Sequence, residues 1–214
     1  MSLPLPVMRK ARKTPVQERS LFTVEMIFEA TIQVLLERGS DRLTTTQVAA
    51  RAGVSVGTLY QYYPNKQALL FAVLERHLAR LAEAVERACN ANQRKPLTTM
   101  VDALVTAFVD AKMERPEVSM ALYAIASELE GTAVVRSMTK RGRTALVRML
   151  ESAPGICFDE VQFTATMLFS AMAGSTRAVL EAGASPKLVR LLRRELLILC
   201  RGYLKGSARR MEAA

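Results

Sequence analysis

Apolar positions recur along this chain at three- and four-residue spacing, and that period predicts helices from end to end. Over residues 23–38, Ile27, Thr31, Val34 and Leu35 fall on one face, and Gly39 is the expected stop. A short second helix starts after Thr44, because Thr44 and Gln47 have the spacing of a capping box, in which each side chain satisfies a helix-end donor. Val48, Ala49 and Ala52 give it a small apolar face, and Gly53 ends it, since the residue past a helix often needs a positive φ. Val54 fills the turn and Ser55 caps a third helix reaching about Tyr63, where Pro64 disfavours further helical geometry. Asn65 caps a long helix over 65–90 with Leu70, Val73, Leu74, His77, Leu78, Leu81, Val85 and Ala88 on one stripe. Further helices are expected over 97–114, 116–129, 133–151 and 159–182, punctuated by Pro116, Gly131 and Pro154-Gly155. Ser185 caps a last one to 204, with Pro186 at its first position. No strand pattern competes, so the fold class is all-α.

The last two helices are apolar on two sides. In the first, Phe163, Met167, Ala171, Gly174 and Ala178 form one stripe, while Val161, Leu168, Met172, Ser175 and Val179 form another. In the second, Leu188, Leu192, Leu196, Leu199 and Tyr203 share a face, with Leu191 and Ile198 off it. A helix apolar on two sides is buried on two sides. Two such helices from each of two copies make a four-helix dimer interface, here expected at Leu168, Met172, Ser175, Leu188, Leu192, Leu199 and Tyr203. Burial inside the monomer's own core is the alternative.

Half of the 214 residues are apolar, enough for a genuine core. No apolar run approaches the ~18 residues of a membrane span, so no membrane partner is expected. Three widely spaced cysteines, Cys89, Cys157 and Cys200, form no pairing or metal spacing, which suggests buried thiols in a reducing cytoplasm and no metal or other cofactor. The net charge of +10 begins at the N-terminus, where Arg9, Lys10, Arg12, Lys13 and Arg19 face Glu18 alone. Residues 1–22 thus read as a disordered basic arm, equally a solvated tail or an extension reaching phosphates. From Leu21 to Lys66 cations and acids balance, so sequence-independent DNA affinity rests on a few placed cations and the arm.

Two short helices joined through a glycine turn form a helix-turn-helix, whose second helix enters the major groove of DNA. The run A-x-x-A-G-V-S-x-G-T-L-Y from Ala49 to Tyr60, followed by aromatics and by N-K-x-A-L-L from Asn65, resembles the TetR-type (TetR/AcrR) transcriptional repressors. The resemblance spans residues 23–70; the remainder agrees in length and helical character. It implies a helix-turn-helix domain over 23–66, a larger helical effector-binding and dimerisation domain over 67–204, and a tail over 205–214. It also implies a homodimer that leaves its operator when a small molecule binds. By position in the motif, Thr45 and Lys66 are the implied phosphate contacts. Chemistry agrees, since a hydroxyl and backbone N–H at a helix start suit an anionic oxygen and a lysine supplies a point charge. Thr46 and Ser55 stand at the same helix starts. Val56, Gly57 and Thr58 lie at the N-terminal end of the recognition helix, near the groove floor, while Tyr60, Gln61 and Tyr62 lie toward its exposed end. Tyr62 serves equally well packed on a neighbouring helix, and Leu59 and Tyr63 belong to the core. That helix has no Arg, Lys or Asn before Asn65, so the commonest bidentate base readers are missing.

Gly53-Val54-Ser55-Val56-Gly57 also fits the G-x-S-x-G elbow of the α/β-hydrolases. A helix rather than a strand precedes it, and the chain's one histidine, His77, follows on another helix, which argues against an enzyme. Seven methionines between Met100 and Met172, with aromatics among them, fit an adaptable apolar pocket as well as an ordinary core. The pocket is expected at His77, Leu81, Leu104, Phe108, Met120, Tyr123, Met138, Phe163, Met167 and Arg177. His77 can equally be a satisfied core histidine, Arg177 a cation at a helix C-terminus, and Arg136, Lys140, Arg141, Arg143 and Arg148 a solvated face. The expected function is a cytoplasmic, ligand-responsive repressor, with double-stranded operator DNA and a small apolar or amphipathic effector as partners. A DNA-binding regulator controlled by a protein partner is the alternative.

Overall fold

The computed structural model describes residues 18–128 and 132–210. Nine helices occur among them: α1 (Glu18–Arg42), α2 (Thr45–Ala52), α3 (Val56–Tyr62), α4 (Lys66–Ala91), α5 (Leu97–Met113), α6 (Pro116–Glu128), α7 (Thr132–Glu151), α8 (Val161–Glu181) and α9 (Pro186–Ser207). The fold is all-α, with a helix-turn-helix near the N-terminus and a larger helical body. Compactness divides the described residues into two units, those up to Arg76 with those between Ala121 and Thr132, and His77–Met120 with those from Ala133 onward.

In the first unit, Ile27, Thr31, Val34 and Leu35 of α1 are buried, as their spacing predicts, together with Val48, Ala49 and Ala52 of α2 and Leu59 of α3. Thr31 avoids an unpaired hydroxyl by donating to the Ile27 carbonyl at 2.6 Å. The capping box forms: Gln47 N–H donates to Thr44 Oγ1 at 3.3 Å and Thr44 N–H to Gln47 Oε1 at 3.1 Å. Gly53 closes α2 with φ 67°, in the left-handed region that a side chain would strain. A bidentate ion pair of Arg51 with Glu37, both contacts 2.7 Å, ties α2 to α1. Arg76 stacks its guanidinium 4.6 Å from the Phe28 ring centroid and pairs with Glu25.

The second unit packs α5 and α8 with α4, α7 and α9 around Met100, Leu104, Phe108, Leu146, Leu168 and Met172. Gly142 is the close approach. A Cβ there would meet Phe169 Cζ at 2.9 Å, so glycine lets α7 lie against α4 and α8.

Four expectations need correction. Residues 18–22, assigned to the arm, are the first turns of α1, because Leu21 and Phe22 continue its helical run; residues 1–17 lie outside the described residues. Gly39 does break the helix (φ 77°, ψ 168°), yet the chain resumes helical turns to Arg42. The tail over 205–214 is partly structured: α9 runs to Ser207, and β2 (Ala208–Arg210) pairs antiparallel with β1 (Ile156–Phe158), matching Ile156 with Arg210. Three-residue strands are too short to show a period of two, so they leave no alternation signal in the sequence. Cys157, in β1, is exposed rather than buried, while Cys89 and Cys200 are buried as expected.

Candidate nucleic-acid interface

The first turn of α2, all of α3 and the first residue of α4 come together in the first unit. Thr45 stands at the first position of α2 and Thr46 at the second, where N–H groups have no carbonyl four residues back. Thr45 Oγ1 and Tyr60 Oη share a hydrogen bond of 3.0 Å, joining α2 to the outer face of α3. Tyr60 is 42% exposed despite that bond, so its phenol is available at the surface. Gln61 and Gly57 are exposed and Val56 half-buried. A Cβ at Gly57 would meet only Ser55 Oγ, at 3.7 Å, which leaves the helix start open to close approach. Ser55 caps α3 by accepting from Thr58 N–H at 2.9 Å, and the two hydroxyls lie 2.8 Å apart. Thr58 thus offers a hydroxyl already held by the cap. Asn65 Oδ1 accepts from Ala68 N–H at 2.8 Å and starts α4. Lys66 then reaches back, its Nζ donating to the Asp41 carbonyl at 3.2 Å, with two ammonium protons to spare.

Tyr62 and Tyr63 divide as their surroundings dictate. Tyr62 is half-buried, its hydroxyl 2.9 Å from Ser20 Oγ of α1, the packed placement that the sequence leaves open. Tyr63 is in the core, and burial pushes its phenol up to about 12, against a smaller opposing effect of Arg76.

In the second unit a cleft of about 840 Å³ opens among α4, α5 and α9, with His77, Leu81, Ala84, Ala107, Ala111 and Met113 among the residues that line it. Arg80, Glu83, Arg87, Asp110, Glu114, Arg115 and Arg193 add charge to it. Asp110 pairs with Arg193, and Arg115 lies 3.9 Å from Glu117. Of the residues expected to form an apolar pocket, only His77 and Leu81 line this cleft. Leu104 and Phe108 are buried in the core. Met138 is half-buried, its sulfur 3.6 Å from Arg141 Nη1, and Tyr123 belongs to the first unit. Phe163 and Met167 are exposed, at 64% and 44%, as is Met120. Arg177 is exposed and pairs with Glu181 at 2.7 Å. Eight of the ten lie outside this cleft. Apolar and sulfur-bearing positions give no sign of this cleft, because Arg80, Glu83 and Arg87 line it from α4 together with Leu81 and Ala84.

Two buried groups beside the cleft also escaped the sequence reading. Lys112 is 5% exposed, and burial lowers its ammonium to about 8. Its spacing of four from Phe108 already put it on the buried face of α5. Ser119 donates its hydroxyl to the Lys112 carbonyl at 2.9 Å and lies 3.3 Å from His77 Nε2. Burial first, then the positive charges of Lys112, Arg80 and Arg115, push the His77 imidazole down to about 4.

The expected dimer face is also redistributed. Leu168, Met172 and Leu192 are buried in the unit's own core and have no surface to offer a partner, while Ser175, Leu188 and Tyr203 are half-buried. Leu199 is exposed as expected, and with it Phe163, Met167, Leu191 and Ile198. Both stripes of α8 are apolar, and the sequence did not say which one the monomer uses for itself.

The family description "Tetracyclin repressor-like, C-terminal domain" matches residues 96–204, and "Bacterial regulatory proteins, tetR family" matches 27–73. The chain belongs to the TetR family of transcriptional regulators. It is 31% identical over 116 residues to the nucleoid occlusion factor SlmA of Haemophilus ducreyi, covering 53% of this chain and 54% of that protein. It is 34% identical over 103 residues to the HTH-type transcriptional repressor KstR of Mycolicibacterium smegmatis, covering 40% and 50%. The chain thus spans about half the length of these curated relatives. Among solved structures, a protein of Mesorhizobium loti described as a TetR-family regulator superposes with a TM-score of 0.75 at 16% identity, covering 89% of this chain and 98% of that one. That likeness speaks for the fold alone, over the part of the chain it covers. Among the described residues no helix is long and apolar enough to cross a membrane.

Proposed function

We propose that this TetR-family chain is a homodimeric repressor that a small molecule releases from operator DNA in the cytoplasm. The observation that carries the reading is the convergence of Thr45, Tyr60 and Lys66 around α3, where the Thr45–Tyr60 pair keeps one hydroxyl proton and Lys66 two ammonium protons after their internal hydrogen bonds. Phosphate contacts of this kind fix register on a duplex, and base edges are read from the exposed face of α3 by Gly57, Tyr60 and Gln61. Thr46 supports the phosphate contact, while Ser55, Val56 and Thr58 shape the helix start and Tyr62 braces it. The exposed apolar stripe of Phe163, Met167, Leu191, Ile198 and Leu199 is the dimer face, since an unpartnered patch of that kind marks an association surface.

Release follows from linkage. A ligand in the cleft lowers operator affinity only if it prefers a conformation that DNA does not, and DNA must then lower ligand affinity by the same factor. The helix α4 supplies both Lys66 and the cleft residues His77 and Leu81. The expected coupling is ~1–3 kcal/mol, a 5- to 150-fold change. The test recovers operator fragments bound from genomic DNA, finds a ligand by thermal shift, and titrates it with and without operator. Equal ligand affinities in the two titrations would reject ligand release.

The charge on half of the cleft's lining residues favours a second reading, in which the chain binds DNA and a protein partner, in place of an apolar ligand, supplies the control. Unchanged operator binding with every cleft ligand would move the preference there. An enzyme is disfavoured because Ser55, the candidate nucleophile, caps α3 after a helix rather than a strand.

A further inference from the structure

Ser119 has one hydroxyl proton, and it is committed to the Lys112 carbonyl, which can only accept. The 3.3 Å contact between Ser119 Oγ and His77 Nε2 can then be a hydrogen bond only if the histidine donates. The neutral imidazole therefore carries its proton on Nε2, and Nδ1 holds a bare lone pair. Among the described residues Nδ1 has no partner, yet it is not a sealed atom; the buried side-chain polar atom left unpartnered is Thr176 Oγ1. His77 is among the residues that line the cleft, and Nδ1 is the ring nitrogen left for a molecule bound there.

The surroundings limit what can donate to it. Lys112, Arg80 and Arg115 are close enough to oppose a second positive charge on the imidazole, and they oppose an ammonium ligand for the same reason. The cleft's acids are partly engaged by cations: Asp110 by Arg193 and, more loosely, Glu83 by Arg87 at 3.9 Å, with Glu114 the third. Beside these charges the cleft has an apolar share of lining in Leu81, Ala84, Ala107, Ala111, Met113 and Val189. A neutral hydroxyl on an apolar body meets all three conditions.

We propose that the cleft selects an apolar molecule bearing a phenolic or alcoholic O–H, which donates to Nδ1 of His77. This rests on the ligand-release reading for its biological use but not for its chemistry. His77 then discriminates hydroxyl ligands from their ethers, because an ether leaves the lone pair unmet beside apolar surface.

The experiment uses the untagged full chain with 15N-labelled histidine, in which the single histidine gives two unambiguous ring nitrogens. The probes are 4-tert-butylphenol and its methyl ether, 4-tert-butylanisole. The free protein should show the proton on Nε2. The phenol should move the Nδ1 resonance and leave Nε2 protonated, and should bind about tenfold more tightly than the ether. His77→Phe should bind the two alike, and Ser119→Ala should let the proton distribute over both nitrogens. A proton on Nδ1 in the free wild type, equal wild-type affinities for the two probes, or no binding of the phenol would overturn the proposal, and none of these readings needs a variant to fold. A phenol that moves Nδ1 without changing operator affinity would support it and overturn ligand release instead.

Discussion

Thr45 Oγ1 and Tyr60 Oη lie 3.0 Å apart, so the start of α2 and the outer face of α3 are held by one hydrogen bond between two hydroxyls. Two hydroxyls bring two protons and the bond uses one. The other is free for an acceptor outside the chain, beside N–H groups of α2 that have no helical partner. Tyr60→Phe removes the brace and the phenolic donor, leaving the Thr45 hydroxyl unheld. Operator affinity should fall by about 5- to 10-fold, in the range of one ordinary hydrogen bond. Binding isotherms on operator and random DNA would separate roles: equal losses on both make Tyr60 a positioning residue, whereas a larger loss on operator makes it a base reader.

Lys66 tests the phosphate assignment in a different way. Its ammonium is anchored on the Asp41 carbonyl and does not depend on an acidic partner for its placement. Lys66→Ala should weaken binding uniformly across sequences and reduce the slope of log affinity against log salt by about 1. An unchanged slope would remove this contact.

The helix-turn-helix was legible in the sequence because its signals are local. The Thr44–Gln47 box, Gly53, the Ser55 cap and Pro64 each act within four residues, and each has the conformation that its chemistry demands. The second unit was less legible for a physical reason. Helix α8 is apolar on two sides, and the side facing the monomer core is decided by neighbours remote in sequence, with Gly142 admitting Phe169 on one of them. Leu168 and Met172, whose stripe suggests an interface, are thus buried in the monomer, while Phe163 and Met167, whose stripe suggests a pocket, are exposed. The cleft was missed because its lining is largely charged.

The redistributed stripe makes a sharper test of assembly than the buried leucines would. Leu192→Arg would place a charge in the core and unfold the chain, which says nothing about association. Ile198 is 60% exposed, so Ile198→Glu should leave folding intact. Sedimentation should then show a folded monomer at concentrations where the wild type is a dimer. A wild-type chain that sediments as a monomer at micromolar concentration would reject the dimer altogether.

His77 gives the fold a pH dependence with a definite sign. Its imidazole lies near 6.5 in an unfolded chain and about 4 in the native one, so between those values the unfolded state binds the extra proton. The contribution of neutral His77 to stability is therefore complete above pH ~6.5 and is lost as pH falls toward 4. Between pH 7 and 5 the loss is about 2 kcal/mol, or roughly 4–8 °C in Tm for a chain of this size. Carboxylates also titrate near the lower end, so the reading is the difference between wild type and His77→Gln, which carries every other group unchanged. Lys112, lowered to about 8, acts in a separate window: its penalty on folding is largest below pH 8 and fades as pH rises toward 10.5. Buried Cys89 and Cys200, raised to about 12 and 11, oppose that gain above pH ~9. The clean window is thus pH 4–6.5. If Tm of the wild type and of His77→Gln fell in parallel across it, the imidazole would be titrating as if exposed, and the buried Ser119 contact would not hold in solution.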